Sequence, residues 1–342
     1  MGRRHARYGC HWLLSLSLLG CAAPAPLPDK PSTEAIERET LSQQQQALAL
    51  RHAREFRLAR VSVPLLHAAL PLCPGHTRSW FGLSFHYRDR YPPQWREAAK
   101  TLYSLDEHAR LRAPLPDSPA ARAGLRTGDR ITRIQGRDLD SEQLRLEQVE
   151  QLLRDQPGPV RVEWLRDGES NSAELTPLEL CDWPVELSSG GPVNAFAYGN
   201  RVRITETMLR YAGSDDELAL VVAHELAHNG LDHIDKQLRN LLLGALLDFA
   251  ATLNGIPSPG LAATLGVRHG SVDWELEADF AALSLLQAAG YPIDRAPEFW
   301  RRLGTDFPQA IRHSRGTHPS TAERYLRMKA DVERLQTAGD SG

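Results

Sequence analysis

Between residues 214 and 230 apolar and polar positions follow the spacing of a helix, with Leu218, Val221, Val222 and Leu226 recurring three and four apart. Ser214 and Glu217 stand in the S-x-x-E relation of a capping box, and Asp215, Asp216 and Glu217 place negative charge in the first turn. A second helix is predicted from Ser271 or Asp273 to about Gln287, with Trp274, Ala278, Ala281, Ala282 and Leu285 as its apolar body and Gly290 and Pro292 as stop signals. Residues 33–60 read as one long amphipathic helix with Ile36, Leu48, Phe56 and Leu58 among many charges, expected to pack on another part of the protein or to space it from a membrane. The run 241–253 is strongly apolar, but Asp248 interrupts it and the Gly- and Pro-rich stretch 255–260 ends it. Too short to span a bilayer, it is expected to be a core helix, a dimer contact or a membrane-resting surface, in that order.

Residues 61–182 carry a different pattern. Pro119 to Ala123 predict a short helix, Gly128-Asp129 a turn, and Ile131 the start of a strand, while the alternation of Val160, Val162 and Trp164 with Arg161 and Glu163 is that of a later strand. At the N-terminus Arg3, Arg4 and Arg7 precede a short apolar run, residues 12–19, closed by Gly20-Cys21. That is the pattern of an export signal over residues 1–20.

The chain has 342 residues, enough for two domains with their own cores. A net charge of only -3 leaves no electrostatic footprint for nucleic acid, so no nucleic-acid partner is expected. Of four cysteines, Cys10 leaves with the signal, and Cys73 and Cys181 remain 108 positions apart beyond Cys21. In an oxidising compartment they form either a disulfide, worth about 4 kcal/mol if unstrained, or two buried free thiols.

The chemistry concentrates on the first helix. His224 and His228 in His224-Glu225-Leu226-Ala227-His228 lie one turn apart, so both imidazoles reach one metal ion while Glu225 points to the same side as a base. A hydrolytic zinc site needs a third protein ligand and keeps its fourth position open. Glu275 on the second helix supplies that ligand, and Asp279, four residues on, shares its face and is placed to orient a ligand histidine. His233, five beyond His228, cannot share that residue's helix face, and a supporting or surface role is expected for it rather than ligation. His269 and His313 have no partner pattern.

His-Glu-Leu-Ala-His followed by Glu-x-x-Ala-Asp resembles the M48 family of zinc metallopeptidases, a gluzincin group. Residues 194–205 resemble the strand segment ahead of that family's zinc helix, and Thr317-His318-Pro319 with Arg324 resembles its late His-Pro…Arg motif, so the likeness covers roughly residues 185 to 335. The resemblance implies one Zn2+ per chain on His224, His228 and Glu275, Glu225 as general base and Asp279 behind the ligands. It also implies His318 and Arg324 near the open side, donating to the oxyanion or, in some members, blocking the metal. Against this, Pro319 just inside a helix start makes His318 an ordinary cap-region residue and Arg324 a surface one. A site-blocking loop around residues 312–315 is a further expectation.

The stretch 119–131 resembles the central signature of a PDZ domain. Gly82-Leu83-Ser84-Phe85 resembles the loop whose backbone N–H groups capture a C-terminal peptide's carboxylate, although Gly82 serves equally well in a simple bend. The segment from His86 to about Leu105 is longer than that resemblance leads one to expect. Leu18-Leu19-Gly20-Cys21 resembles a lipobox, in which Cys21 becomes the lipidated residue; Leu19 is unusual there, and a plain secretory signal is the other reading. Ala22 after the cysteine resembles lipoproteins sent to the outer membrane.

The expected protein is therefore α+β: a signal peptide (1–20), a Pro-rich tether (21–32), the amphipathic helix (33–60), a β-rich PDZ domain (61–182) and a mostly helical zincin-type metallopeptidase domain (183–342). It is expected at the bacterial cell envelope, held by its lipid anchor in the outer membrane and facing the periplasm. There it would cleave misfolded or unassembled envelope proteins, laid as extended polypeptide against an edge strand at Gly199, Asn200, Arg201 and Val202. Two competing readings are a PDZ-based peptide-binding adaptor or holdase with a latent metal site, and a hydrolase of a non-peptide envelope component. Glu225 argues against the first, since a purely structural site needs no base, and an edge strand against the second.

Overall fold

The structure, a computed structural model, describes residues 30–139, 146–253, 260, 271–311 and 319–339. The signal peptide, Cys21 and most of the tether lie outside the described residues, as do His269, His318 and the 312–315 loop. The chain divides into two compact units, residues 1–40 and 41–342, and every element after the start of the first helix belongs to the second.

That helix, α1 (Thr33–Ala68), continues past residue 60, where the sequence pattern ends it. It continues because Leu58, Val61, Leu65 and Leu66, followed by Ala69, all fill the core of the C-terminal half. After β1 (Thr77–Trp80) and β2 (Phe85–His86), the long segment noticed in the sequence forms two 3-10 turns and α2 (Arg96–Tyr103). Tyr91, Ala98, Ala99 and Leu105 from this segment bury Leu48 of α1 in a small core of their own.

Next come β3 (Arg110–Leu111), α3 (Pro119–Arg122), β4 (Arg130–Ile134), β5 (Arg137–Asp138), α4 (Leu146–Arg154), β6 (Val160–Arg166) and β7 (Glu169–Leu175). The strands pair antiparallel in the order β2-β3-β4-β6-β7, with β5 on β4. Phe85, Leu111, Ile131, Val160, Val162 and Leu175 fill this sheet's core, so the period-two alternation of β6 has its inward face where the sequence puts it.

β8 (Leu178–Cys181) returns to pair with β1, and a disulfide joins Cys73 to Cys181 at Cα–Cα 5.9 Å, beside the Thr77–Cys181 pair. Leu180, Cys181 and Trp183 then pack with Leu65 and Leu66 in the C-terminal core. Residues on both flanks of the 61–182 segment are thus part of the next domain's interior.

The C-terminal half opens with β9 (Val185–Ser188), β10 (Ala195–Ala197) and β11 (Val202–Thr205), followed by α5 (Glu206–Tyr211), α6 (Asp215–Gly230), α7 (His233–Leu253), α8 (Ser271–Ala288), α9 (Ala296–Asp306) and α10 (Thr321–Gly339). α6 is buried on nearly every side rather than along one stripe, with Leu218, Leu220, Val222 and Leu226 at most 1% exposed. Each such side chain contributes roughly 1.5–3 kcal/mol of burial. Ser214 Oγ accepts from Glu217 N at 3.2 Å, and Glu217 Oε2 accepts from Gly213 N at 2.7 Å, one residue ahead of the expected capping-box partner. Arg57 of α1 fixes this end: it pairs with Asp215 at 2.9 Å and donates to the carbonyls of Leu209, Ala212 and Ser214 at 2.8–2.9 Å.

α7 departs from the expectation of a core helix. Leu242, Leu243, Leu246, Leu247 and Phe249 are each more than half exposed, while Asp248 is buried. Apolar residues occupy almost the whole circumference of this helix, so packing on one side leaves most of them out. No described helix is long and apolar enough to cross a membrane.

Candidate metal centre

Two helices deliver the site. His224 and His228 sit in the third and fourth turns of α6, and Glu275 faces them from the second turn of α8. His224 Nε2 and His228 Nε2 are 3.1 Å apart, and each lies 3.4 Å from a carboxylate oxygen of Glu275. His224 and Glu275 are buried and His228 is half-buried. Ligands about 2.0–2.1 Å from a tetrahedral zinc lie about 3.3–3.4 Å from one another, and the spacings here, to Oε2 from His224 and to Oε1 from His228, are of that size. Two imidazole nitrogens and one carboxylate oxygen are also the donor set that suits zinc, and the residues present therefore fit the ion.

Behind His224 stands a charged brace. Asp279 Oδ1 is 3.1 Å from His224 Nδ1, and Arg324 binds both Asp279 oxygens, at 2.8 and 2.6 Å. The guanidinium lies flat on Trp300, 3.4 Å from the ring centre, and 3.6 Å from Glu275. Burial raises the Asp279 carboxyl, but the charge and hydrogen bonds of Arg324 together with those of His224 outweigh it and hold the group below its ordinary range. Burial and Arg324 push the His224 imidazole down, while hydrogen bonds to Asp279 and Glu275 prevail and lift it to about 9.

This corrects the surface reading of Arg324 and leaves it where the motif puts it, beside the cleft. It is 5% exposed, lines the cleft and commits its fork to Asp279, so it braces a ligand from the wall of the site. A buried guanidinium is stable only beside a partner carboxylate, and α10 brings it to one. His318 lies outside the described residues.

The edge strand also needs correction. The three-stranded sheet runs β10-β11-β9, which makes Val202 to Thr205 its central strand. Gly199, Asn200 and Arg201 form the turn that folds β11 back onto β10, with Gly199 at φ 81°. The segment expected ahead of the edge is therefore itself the edge: residues 194–197 line the cleft, and among the described residues no strand pairs with the outer side of β10. Asn229, which the sequence reading passed over, ties this hairpin to α6. Its Oδ1 accepts from Gly199 N at 2.8 Å and its Nδ2 donates to Arg201 O at 3.2 Å.

The cleft is about 730 Å³. Residues 194–197, His224, Glu225, His228 and Glu275 line it together with the apolar side chains of Met208, Val221, Phe299, Trp300, Leu303 and Phe307. Glu225 thus opens onto the same space as the three ligand atoms.

In the N-terminal sheet, Gly82 adopts φ 76°, and a Cβ there would lie 2.5 Å from the Cβ of Ser118, whose Oγ caps α3. Close approach as well as the bend requires glycine there. Phe85, expected in the loop, is the first residue of β2 and fully buried in the sheet's core; Leu83 packs against the same core. Ser84 O accepts from Arg112 N.

The fold and site together define a metallopeptidase domain carried behind a PDZ domain. Residues 163–331 match the family model for Peptidase family M48, and residues 110–166 match that of a PDZ domain. The mitochondrial metalloendopeptidase OMA1 of Arabidopsis thaliana is 29% identical over 164 residues, 46% of this chain and 33% of its own. The beta-barrel assembly-enhancing protease of Escherichia coli (strain K12) is 29% identical over 132 residues, 34% of this chain and 27% of its own. The matches thus span a third or less of these relatives' lengths. Among solved structures, the HtrA3 PDZ domain bound to a phage-derived ligand aligns at 18% identity and a TM-score of 0.23, over 31% of this chain and 89% of that one.

Proposed function

We propose that this chain is a zinc-dependent endopeptidase of the bacterial envelope, acting on unfolded or unassembled polypeptides. The observation that carries this reading is the meeting of three elements in one cleft: the His224–His228–Glu275 triangle, the carboxylate of Glu225, and the outer edge of β10, with which no strand pairs among the described residues. Zinc held by the triangle supplies Lewis acidity, which polarises a carbonyl and acidifies water. Glu225 accepts the proton of the attacking water and returns it to the leaving amine. Asp279, by accepting from Nδ1–H of His224, leaves the Nε2 lone pair free for the metal, and Arg324 balances the charge of the carboxylates behind it.

β10 offers its backbone to an extended chain, so binding is largely independent of sequence and suits unfolded segments. Envelope substrates are supported by the name of the Escherichia coli relative, a protease that enhances beta-barrel assembly. A periplasmic location on a lipid anchor is supported by the export-signal pattern ending at Cys21 and by the Cys73–Cys181 disulfide, a bond of oxidising compartments.

The test is zinc content together with cleavage of casein, comparing the signal-free protein with Glu225→Gln. Both are expected to hold one zinc and only the unmutated protein to cut. Zinc-loaded protein that leaves casein intact, or a Glu225→Gln variant that cuts equally fast, would overturn the reading.

A further inference from the structure

The two histidines of the metal triangle are supported differently, and the structure gives the supporting role open to His233 a definite partner, His228. α6 stops at Gly230, Leu231 and Asp232 turn the chain with Asp232 at φ 56°, and α7 starts at His233. The turn swings His233 back toward the site. His233 Nδ1 comes to 3.0 Å from His228 Nδ1, and its Nε2 to 3.1 Å from Glu277 Oε2. The ring is 2% exposed and stacks on Trp274, with centroids 5.8 Å apart and planes 19° from parallel.

The proton positions in this chain follow from the first member. If His228 binds metal through Nε2, its neutral ring carries the proton on Nδ1 and donates it outward. The acceptor in reach is His233 Nδ1, which must then be bare, so His233 carries its own proton on Nε2 and donates it to the Glu277 carboxylate. Each hydrogen has one acceptor and each acceptor one hydrogen. We infer that Glu277, His233 and His228 form a relay that fixes the tautomer and ring orientation of the second metal ligand, making His233 and Glu277 positioning residues for the metal. Glu277 acts on His228 at one remove, as Asp279 acts directly on His224. Trp274, next in sequence to Glu275, holds the plane of the His233 ring, so α8 supplies a ligand, the far end of the relay and its stacking surface within four residues.

This inference rests on the metal reading of the site, and the test separates the two. Zinc affinity is measured by competition with a chromogenic chelator for the unmutated protein, His233→Phe, His233→Asn and Glu277→Gln, and thermal unfolding of each metal-free protein is recorded alongside. His233→Phe keeps the stacked ring and removes the acceptor; it is expected to weaken zinc binding roughly 10- to 100-fold. His233→Asn restores an acceptor oxygen close to the position of Nδ1 and is expected to recover most of that loss. Glu277→Gln is expected to weaken binding several-fold while its metal-free protein melts with the unmutated one. Equal zinc affinity in all four proteins overturns the relay, and so does an Asn variant no better than Phe. An unmutated protein that binds no zinc overturns the metal reading itself.

Discussion

His224 and His86 are almost equally buried, 7% and 5% exposed, yet their imidazoles move in opposite directions. His224, in the metal centre, is lifted to about 9. His86, where the β-rich half meets α1, is pushed down to about 3 by burial first and then by His52, Arg112 and Arg90. Burial lowers both rings, so the difference lies in their neighbours. His224 faces Asp279 and Glu275, whereas His86 bonds the hydroxyl of Tyr91 at 2.6 Å and stacks on Tyr103 at 4.1 Å. Carboxylates decide whether a buried imidazole favours a positive charge beside it, a proton in the metal-free chain or a metal ion in its place, and this chain uses that arrangement to build a metal site and the carboxylate-poor one to build a joint.

The largest test of this contrast removes a carboxylate. Asp279→Ala strands the Arg324 guanidinium in a buried position, with Trp300 against it and its two-oxygen partner gone. The metal-free protein is expected to lose about 3–5 kcal/mol in urea unfolding, since an uncompensated buried charge costs that much. A loss below about 1 kcal/mol would mean that Arg324 turns out to solvent and that the brace is not structural.

The joint responds to acid. His86 is neutral in the folded chain with its value below the ordinary 6.5, so the unfolded chain binds the extra proton. Its contribution is complete above pH 6.5 and declines as pH falls from 6.5 toward about 3. Between pH 6.5 and 4.5 this ring alone is expected to account for about 2 kcal/mol of lost stability. His86→Phe keeps the stacking on Tyr103, so its urea midpoint should depend less on pH over that window. Parallel curves for the two proteins would refute the assignment.

How far these regions could be read from sequence follows the same division. His224, Glu225, His228 and Glu275 were legible because each pair sits within one unbroken helix, where spacing fixes direction. Arg324 was legible as a motif residue beside the cleft, but its bond to Asp279 was not, because its direction depends on how α10 packs and on which carboxylate lies beneath it. His233 was legible as a supporting or surface residue rather than a ligand, but not as the partner of His228. Five residues beyond His228 points away on a continuing helix, but α6 ends at Gly230 and the left-handed Asp232 restarts the chain in a new direction. The edge strand failed for a nonlocal reason. Which strand lies outermost depends on the Gly199 turn and on parallel pairing with β9, and neither shows in the pattern of β11 itself. Gly82 and the period-two alternation of β6 were legible, whereas the continuation of α1 into the C-terminal core was hidden by the Pro64 within it.

Asn229 offers a smaller perturbation. Asn229→Ala removes both hydrogen bonds that tie the β10–β11 turn to α6, at a cost of about 1–2 kcal/mol. None of the three metal ligands is touched, so zinc affinity is expected to stay within about twofold of the unmutated protein, while KM for an unfolded polypeptide rises about five- to tenfold with little change in kcat. A fall in kcat at unchanged KM would place the extended chain somewhere other than β10.

The smallest expected effect separates the two carboxylates behind the histidines most sharply. Asp279 and Glu277 each end a hydrogen-bonded chain that begins at a metal ligand, but the Asp279 side chain is 4% exposed and that of Glu277 53%. An exposed charge is already well solvated and its removal leaves no buried ion behind. Glu277→Ala is therefore expected to change the unfolding free energy of the metal-free protein by less than about 1 kcal/mol, against several for Asp279→Ala. If both variants lose the same amount, Glu277 is a structural anchor for the start of α7, and its bond to His233 serves the fold before it serves the metal.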